Sequence, residues 1–289
     1  MATKKGVWDL QDVRDKQLQS LWTYSSTTGA LFSWGQGQNG VLGLNDNVSR
    51  SSPVQVGSDQ SWENLGVHGR RYASGGAVKS DGTLWMWGRN SSGGLGQNDT
   101  IQRSSPVQIP GTSWDKFSVS IDKGASIKTD GTLWTWGNGN KGGLGVNSRT
   151  YYSSPVQVPG TTWKQISLGG SHVTATKTDG TLWGWGNNTS GQLGLSNKTQ
   201  YSSPTQVPGT TWNYTWTSDN NVWASKTDGT LWGFGRNDSG QLAQNNLTEY
   251  NSPVQIPGTW ATGSNQIGVG YFYVSAIKTD GTLWAWGTN

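Results

Sequence analysis

Lys177-Thr178-Asp179-Gly180-Thr181-Leu182-Trp183-Gly184-Trp185-Gly186 recurs in close copies along the whole chain. Five copies are nearly identical, ending in Leu84-Trp85-Met86-Trp87, Leu133-Trp134-Thr135-Trp136, Leu182-Trp183-Gly184-Trp185, Leu231-Trp232-Gly233-Phe234 and Leu283-Trp284-Ala285-Trp286. A sixth, Thr28-Gly29-Ala30-Leu31-Phe32-Ser33-Trp34-Gly35, is degenerate. Counted at the turn glycine (Gly29, Gly82, Gly131, Gly180, Gly229, Gly281), the steps are 53, 49, 49, 49 and 52 residues, so this is a repeat protein. Asp-Gly between two short alternating runs signals a hairpin, and a two-residue primed turn would pair Lys177 with Leu182, Thr176 with Trp183 and Ala175 with Gly184. On that register one face carries Trp183 and Trp185 while the other carries Ala175 and Gly184. Such a sheet suits stacking on copies of itself, the tryptophans of one unit filling the space over the small face of the next.

The rest of each period supplies two more strands. Gln165-Ile166-Ser167-Leu168 precedes the hairpin, and Pro204-Thr205-Gln206-Val207 follows it as a proline-led outer strand. Between hairpin and outer strand lies a Gly-rich turn, with Gly40, Gly93, Gly142 and Gly240 in register with Gly191. Each outer strand leads to a further tryptophan, and 15 of the 19 tryptophans fall on repeat positions, which marks them as core. Burying each is worth roughly 4 to 6 kcal/mol before entropy, at about 25 cal/mol per Å² over about 150 to 250 Å². The expectation is an all-β chain: a six-bladed β-propeller of four-stranded antiparallel blades over residues 22–289, preceded by a short strand or helix segment over residues 1–21.

The order Gly169-Gly170-Ser171-His172, Ala175, Asp179-Gly180, Trp183-Gly184-Trp185-Gly186, Asn188, Gly191-Gln192-Leu193-Gly194 and Pro204 resembles the repeat of the regulator-of-chromosome-condensation family of β-propellers. The resemblance covers residues 22–289 and implies fold rather than function. Family members include a guanine-nucleotide exchange factor, inhibitors of other proteins, and many bacterial and viral proteins of unknown role. The chain departs from the pattern in carrying histidine at the repeat position only at His172, with Ser74, Lys123, Asn221 and Tyr273 elsewhere.

Composition narrows the classes. Cysteine is absent, which excludes disulfides and thiolate metal sites, and no apolar run approaches membrane-spanning length. A net charge of +4 invites nucleic acid, but Lys79, Lys128, Lys177, Lys226 and Lys278 each stand two residues from a turn aspartate, so the ring they form is near neutral and no basic stripe is left. No catalytic residue, metal site or cofactor is expected. His68 and His172 have no triad or ligand partners in the sequence pattern, and Asn45-Asp46-Asn47 does not match a calcium loop. Thr-Asp-Gly-Thr-Leu-Trp is loosely similar to the aspartate box of sialidase propellers, but the arginine cluster and paired acids of a sialidase site are not identifiable.

Variation between repeats therefore points to binding. Arg50, Arg103, Tyr152, Tyr201 and Tyr250 share one position before the proline-led strand, with Tyr151 next to it, and an insertion brings His68, Arg70, Arg71 and Tyr72 to the same face, opposite the Asp-Gly turns. Exposed Tyr and Arg together are what binding hot spots use. Near the start, Gly6-Val7-Trp8-Asp9-Leu10 resembles openings of tailed-phage structural proteins, and Val7, Trp8 and Leu10 are placed either to dock to another subunit or to cover the open edge of the last hairpin. The leading expectation is a non-enzymatic scaffold in a phage virion, a structural or host-adhesion protein contacting protein, host-surface glycan or other virion subunits. The alternative is a cytoplasmic regulatory propeller, an exchange factor or protein inhibitor.

Overall fold

In the computed structural model, which describes residues 29–66, 74–263 and 266–288, the Asp-Gly hairpin joins the second and third strands of every blade. Strands β1 (Phe32–Gly35) and β2 (Arg50–Gln55) form a two-stranded ribbon. The first full blade is β3 (Trp62–Gly66), β4 (Ser74–Lys79), β5 (Leu84–Gly88) and β6 (Arg103–Gln108). The second is β7 (Trp114–Val119), β8 (Lys123–Lys128), β9 (Leu133–Gly137) and β10 (Tyr152–Gln157). The third is β11 (Trp163–Leu168), β12 (His172–Lys177), β13 (Leu182–Gly186) and β14 (Tyr201–Val207). The fourth is β15 (Trp212–Thr217), β16 (Asn221–Lys226), β17 (Leu231–Gly235) and β18 (Tyr250–Ile256), and the fifth has three strands, β19 (Ile267–Val269), β20 (Tyr273–Ile277) and β21 (Leu283–Gly287).

The fold is an all-β propeller, but the expectation of six four-stranded blades is overturned. Five blades form, four of four strands and one of three, beside the β1–β2 ribbon. A count of hairpin turns is not a count of blades, because a blade also needs at least one strand beside the hairpin. Among the described residues β1 has only β2, and β21 has only β20. Residues 1–21, with Val7, Trp8 and Leu10, lie outside the described residues, as do His68, Arg70, Arg71 and Tyr72.

The register of the hairpin also differs from the two-residue turn. Thr176 pairs with Leu182, Ala175 with Trp183, Thr174 with Gly184 and Val173 with Trp185. The Lys177 N–H donates to the Thr181 carbonyl (2.9 Å) and the Gly180 N–H to the Lys177 carbonyl (3.1 Å), with Gly180 at φ +80°. That is a three-residue loop closed by a left-handed glycine, so only one positive φ is required and Asp179 is free for another task. Its Oδ1 accepts from the Thr181 N–H and hydroxyl (3.0 and 2.7 Å), and Thr181 Oγ1 in turn accepts from Trp183 Nε1 at 2.8 Å. The shift moves Ala175 onto the tryptophan face, where it leaves room beside the Trp183 ring. Lys177 Nζ then lies 4.7 Å from the Trp163 ring and 4.6 Å from the Trp183 ring. Lys79, Lys128, Lys226 and Lys278 are held between tryptophans in the same way.

Blade stacking follows from the second tryptophan. Trp185 is wholly buried in a cluster that includes Ala125, Leu133 and Val158 of the preceding blade. Trp136 Nε1 donates to the Gly94 carbonyl (2.9 Å) and Trp87 Nε1 to the Val41 carbonyl (3.0 Å), each in the Gly-rich turn of the unit before. The first strands line the axis and are knitted side to side: Gln165 Nε2 donates to the Thr215 carbonyl (2.8 Å), the Thr215 N–H returns to Gln165 Oε1 (3.0 Å), and Ser167 meets Thr217 at 2.9 Å.

Candidate functional site on the face opposite the Asp-Gly turns

Among the described residues, the second to fifth blades build this face in the same manner. The turn between its first and second strands is pinned to the end of its third. The N–H of Asn138 donates to the Asp122 carbonyl (2.8 Å), that of Asn187 to Ser171 (2.9 Å) and that of Arg236 to Asn220 (3.0 Å). The residue just before each donor must be glycine. At Gly137 (φ +96°) a Cβ would stand 2.1 Å from the Asp122 carbonyl oxygen, and at Gly186 (φ +98°) 2.5 Å from that of Ser171. With the backbone fixed by the repeat, turn side chains vary at no structural cost.

They vary where the second, third and fourth blades meet. Ile121, Asp122 and Lys123 of one turn and Asp219 of another flank Gly170 and Ser171 of the turn between them, around a cavity of about 280 Å³ completed by Asn138, Asn140 and Lys141. Glycine at 170 opens it, since a Cβ there would meet Asp219 Oδ1 at 2.1 Å. Asp122 Oδ1 is buried with no hydrogen bond among the described residues, and Arg89 Nε stands 3.8 Å from it. A buried carboxylate oxygen without a hydrogen-bond donor is costly, and the Arg89 guanidinium is the cation that stands beside it. Lys123 is only 3% exposed, whereas Lys141 is exposed at the rim.

His172, at the base of the middle turn, is wholly buried. Burial pushes its imidazole down to about 3, reinforced by the Lys123 charge and opposed by Asp219. It is neutral at physiological pH. Among the described residues no group of three or more His, Cys, Asp or Glu side chains is placed to hold a metal ion, and no helix is long and apolar enough to cross a membrane.

The Arg and Tyr positions singled out from the sequence are half-buried and hold their own loops. Arg50 pairs with Asp46 at 2.5 Å and Arg103 with Asp99 at 2.6 Å, while the hydroxyls of Tyr201 and Tyr250 accept from Asn197 (3.3 Å) and Asn246 (2.9 Å) four residues earlier. Arg50 and Arg103 go with aspartate and Tyr201 and Tyr250 with asparagine, so in these four repeats one position performs one task with two chemistries. Tyr152 shares that position, half-buried, and exposed Tyr151 accepts from Asn140 Nδ2 at 2.7 Å, which links it to the cavity rim. Sequence reasoning overlooked Asp122, Lys123, Lys141 and Asp219. The signal was present, because the turns Ser120–Lys123, Gly169–His172 and Ser218–Asn221 keep their length and exchange their content.

Comparison with known proteins agrees with this geometry. The Regulator of chromosome condensation (RCC1) repeat matches residues 28–64, 81–123, 130–176, 179–217 and 228–277. The Ultraviolet-B receptor UVR8 of Arabidopsis thaliana is 35% identical over 95 residues, which is 32% of this chain and 20% of that protein. The human E3 ubiquitin-protein ligase HERC2 is 32% identical over 90 residues, 30% of this chain and 2% of that protein. The chain thus spans a fifth or less of the length of these relatives. Among solved structures, yeast RCC1 (Prp20) bound to Kap60 superposes with a TM-score of 0.77 at 21% identity, over 94% of this chain and 67% of that one. Human WBSCR16 superposes with a TM-score of 0.64 at 19% identity, over 89% of each chain. With most of its length matched, blade after blade, to that repeat, the chain belongs to the Regulator of chromosome condensation (RCC1) repeat family.

Proposed function

We propose that the chain is a non-enzymatic interaction module, a regulatory propeller that takes a partner protein on the face opposite the Asp-Gly turns. The observation that carries this reading is the cavity between Asp122 and Asp219. It is a place where charged side chains break the symmetry of the repeat, with the carboxylates of Asp122 and Asp219 in its lining. An arginine or lysine of a partner suits it. The relatives favour a protein partner as well: yeast RCC1 (Prp20) has been solved bound to Kap60, and Prp20p has binding properties toward Gsp1p and histones. In this reading the chain works inside a cell, as an inhibitor or exchange factor would, and it turns over no glycoside. The reading as a tailed-phage structural or host-adhesion protein, with glycan or virion subunits as partners, draws on residues 6–10 and receives no support from these relatives.

The test uses quantitative affinity capture with wild type and with the Asp122→Ala, Asp219→Ala double variant. The double variant should lose a defined partner set at unchanged melting temperature, since surface changes usually stay within about 0.5 kcal/mol. An identical partner set for both proteins would remove this face from consideration.

A further inference from the structure

We infer that Asn138 is a site of spontaneous covalent modification: the Gly139 main-chain nitrogen closes on the Asn138 side chain to a cyclic imide, which water opens to a carboxylate on the wall of the cavity. The ring closure rests on local backbone geometry alone, whereas its effect on partner capture rests on the interaction reading above.

Asparagine followed by glycine occurs twice in the chain, at Asn39-Gly40 and at Asn138-Gly139. With no Cβ on the second residue, its nitrogen has open access to the side-chain amide carbon of the first, so the dipeptide alone makes both candidates. The folded chain separates them. At the first, the Gly40 N–H donates to the Gly37 carbonyl (3.1 Å), Asn39 sits at φ +63°, and no N–H donates to its side-chain oxygen among the described residues. At the second, the Gly139 N–H has no acceptor among the described residues, and Asn138 Oδ1 accepts from the Asn140 N–H at 2.9 Å. That is an Asx-turn, and its hydrogen-bonded ring contains both the carbon to be attacked and the attacking nitrogen. The Asn140 N–H points at the oxygen on which negative charge develops as the imide closes, which is the task of an oxyanion hole. The Asn138 N–H is itself tied to the Asp122 carbonyl (2.8 Å), so the backbone on the near side of the ring is held.

The repeat explains why glycine stands here. Asn90, Asn188 and Asn237 hold the position of Gly139 in the first, third and fourth blades, where they are buried and tie their loops with side-chain hydrogen bonds. At Gly139 the loop closes in instead, so tightly that a Cβ would collide with the Thr150 carbonyl oxygen, and Asn138, Asn140 and Lys141 come to line the cavity. The steps balance with water as the one co-reactant. The Gly139 nitrogen bonds to Asn138 Cγ and gives up its proton, and the side-chain nitrogen leaves as ammonia. Water then adds to either imide carbonyl and leaves aspartate or isoaspartate. Both products put a carboxylate in place of the amide, in a lining that already holds Asp122 and Asp219. The cavity gains one negative charge and with it selectivity for a cationic side chain of a partner.

The experiment ages the full chain at neutral pH, folded and in urea, and follows both asparagines by peptide mapping with tandem mass spectrometry. In the folded chain Asn138 should convert at least about tenfold faster than Asn39, with isoaspartate among the products, because one site has the stabilising donor and the other does not. In urea the two should convert at similar rates. Equal rates in the folded chain, or faster conversion of Asn39, overturns the inference. So does a product that is aspartate alone, which direct hydrolysis without the imide would give. Asn138→Ser, which keeps an oxygen for the Asn140 N–H, should abolish the mass change in its peptide. Asn140→Pro removes the donating N–H at a first helical position and should slow Asn138 toward the rate of Asn39; an unchanged rate at unchanged melting temperature overturns the inference, and the comparison of the two asparagines carries the test where that variant is destabilised. Conversion of Asn138 with no change in captured partners supports the modification and counts against the interaction reading alone.

Discussion

Trp185→Ala and Trp34→Ala remove the same side chain from the same repeat position, and the structure assigns them very different costs. Trp185 is 0% exposed, packed edge-to-face with Trp163 (centroids 6.0 Å apart) and set so closely over the preceding unit that a Cβ on Gly145 would stand 2.7 Å from its Nε1. Its removal opens a cavity between two blades and should cost about 3 to 5 kcal/mol, the range for large buried aromatics. Trp34 is 61% exposed on the β1–β2 ribbon, and burial in proportion to area gives less than half of that, about 1 to 2 kcal/mol. Urea unfolding followed by far-ultraviolet circular dichroism measures both, taking the first transition if the blades unfold in steps. Equal costs would refute the reasoning. They would mean either that the Trp34 face is covered as fully as the others, or that the second tryptophan does not hold blades together.

The buried neutral His172 makes stability pH-dependent. Its folded pKa lies below its unfolded value of 6.5, so its contribution is complete above pH 6.5 and is lost as pH falls toward 3, by up to about 1.4 kcal/mol per pH unit. His172→Asn, which installs the residue the fourth blade uses, should flatten the stability profile between pH 6.5 and 4.5; parallel profiles would show that the imidazole is not held neutral. At the loop position, Asp99→Asn or Arg103→Tyr alone should cost up to about 1 kcal/mol. Asp99→Asn with Arg103→Tyr recreates the Asn246 and Tyr250 pair and should recover most of that loss, whereas simple additivity of the two costs would deny the pairing.

The fold was legible because one ten-residue unit carries its own turn chemistry, its own core residues and its own spacing. Where the reading failed, it failed on partners. The Asp-Gly dipeptide announced a hairpin, but the three-residue loop depends on hydrogen bonds from Thr181 to Asp179, which spacing alone does not reveal. That one-residue shift changes which side chains share a face. Blade count failed similarly, since the Gly281 hairpin looks like the rest in sequence and the degenerate Gly29 copy keeps the spacing, yet both lack a full set of strands among the described residues. The Arg and Tyr column was found by its variability, and its loop-holding role surfaced only through contacts four residues back. The charged cavity was the least visible, because Asp122 and Asp219 sit 97 residues apart and meet across the bare Gly169-Gly170 turn.

The most direct test of the interaction reading is hydrogen–deuterium exchange of the chain with and without a captured partner. Protection should concentrate in the turns at residues 120–123, 169–171 and 218–220 and in the loop at 138–141. Protection confined to the Asp-Gly turns at residues 129–131, 178–180 and 227–229 would place the partner on the opposite face and contradict the account.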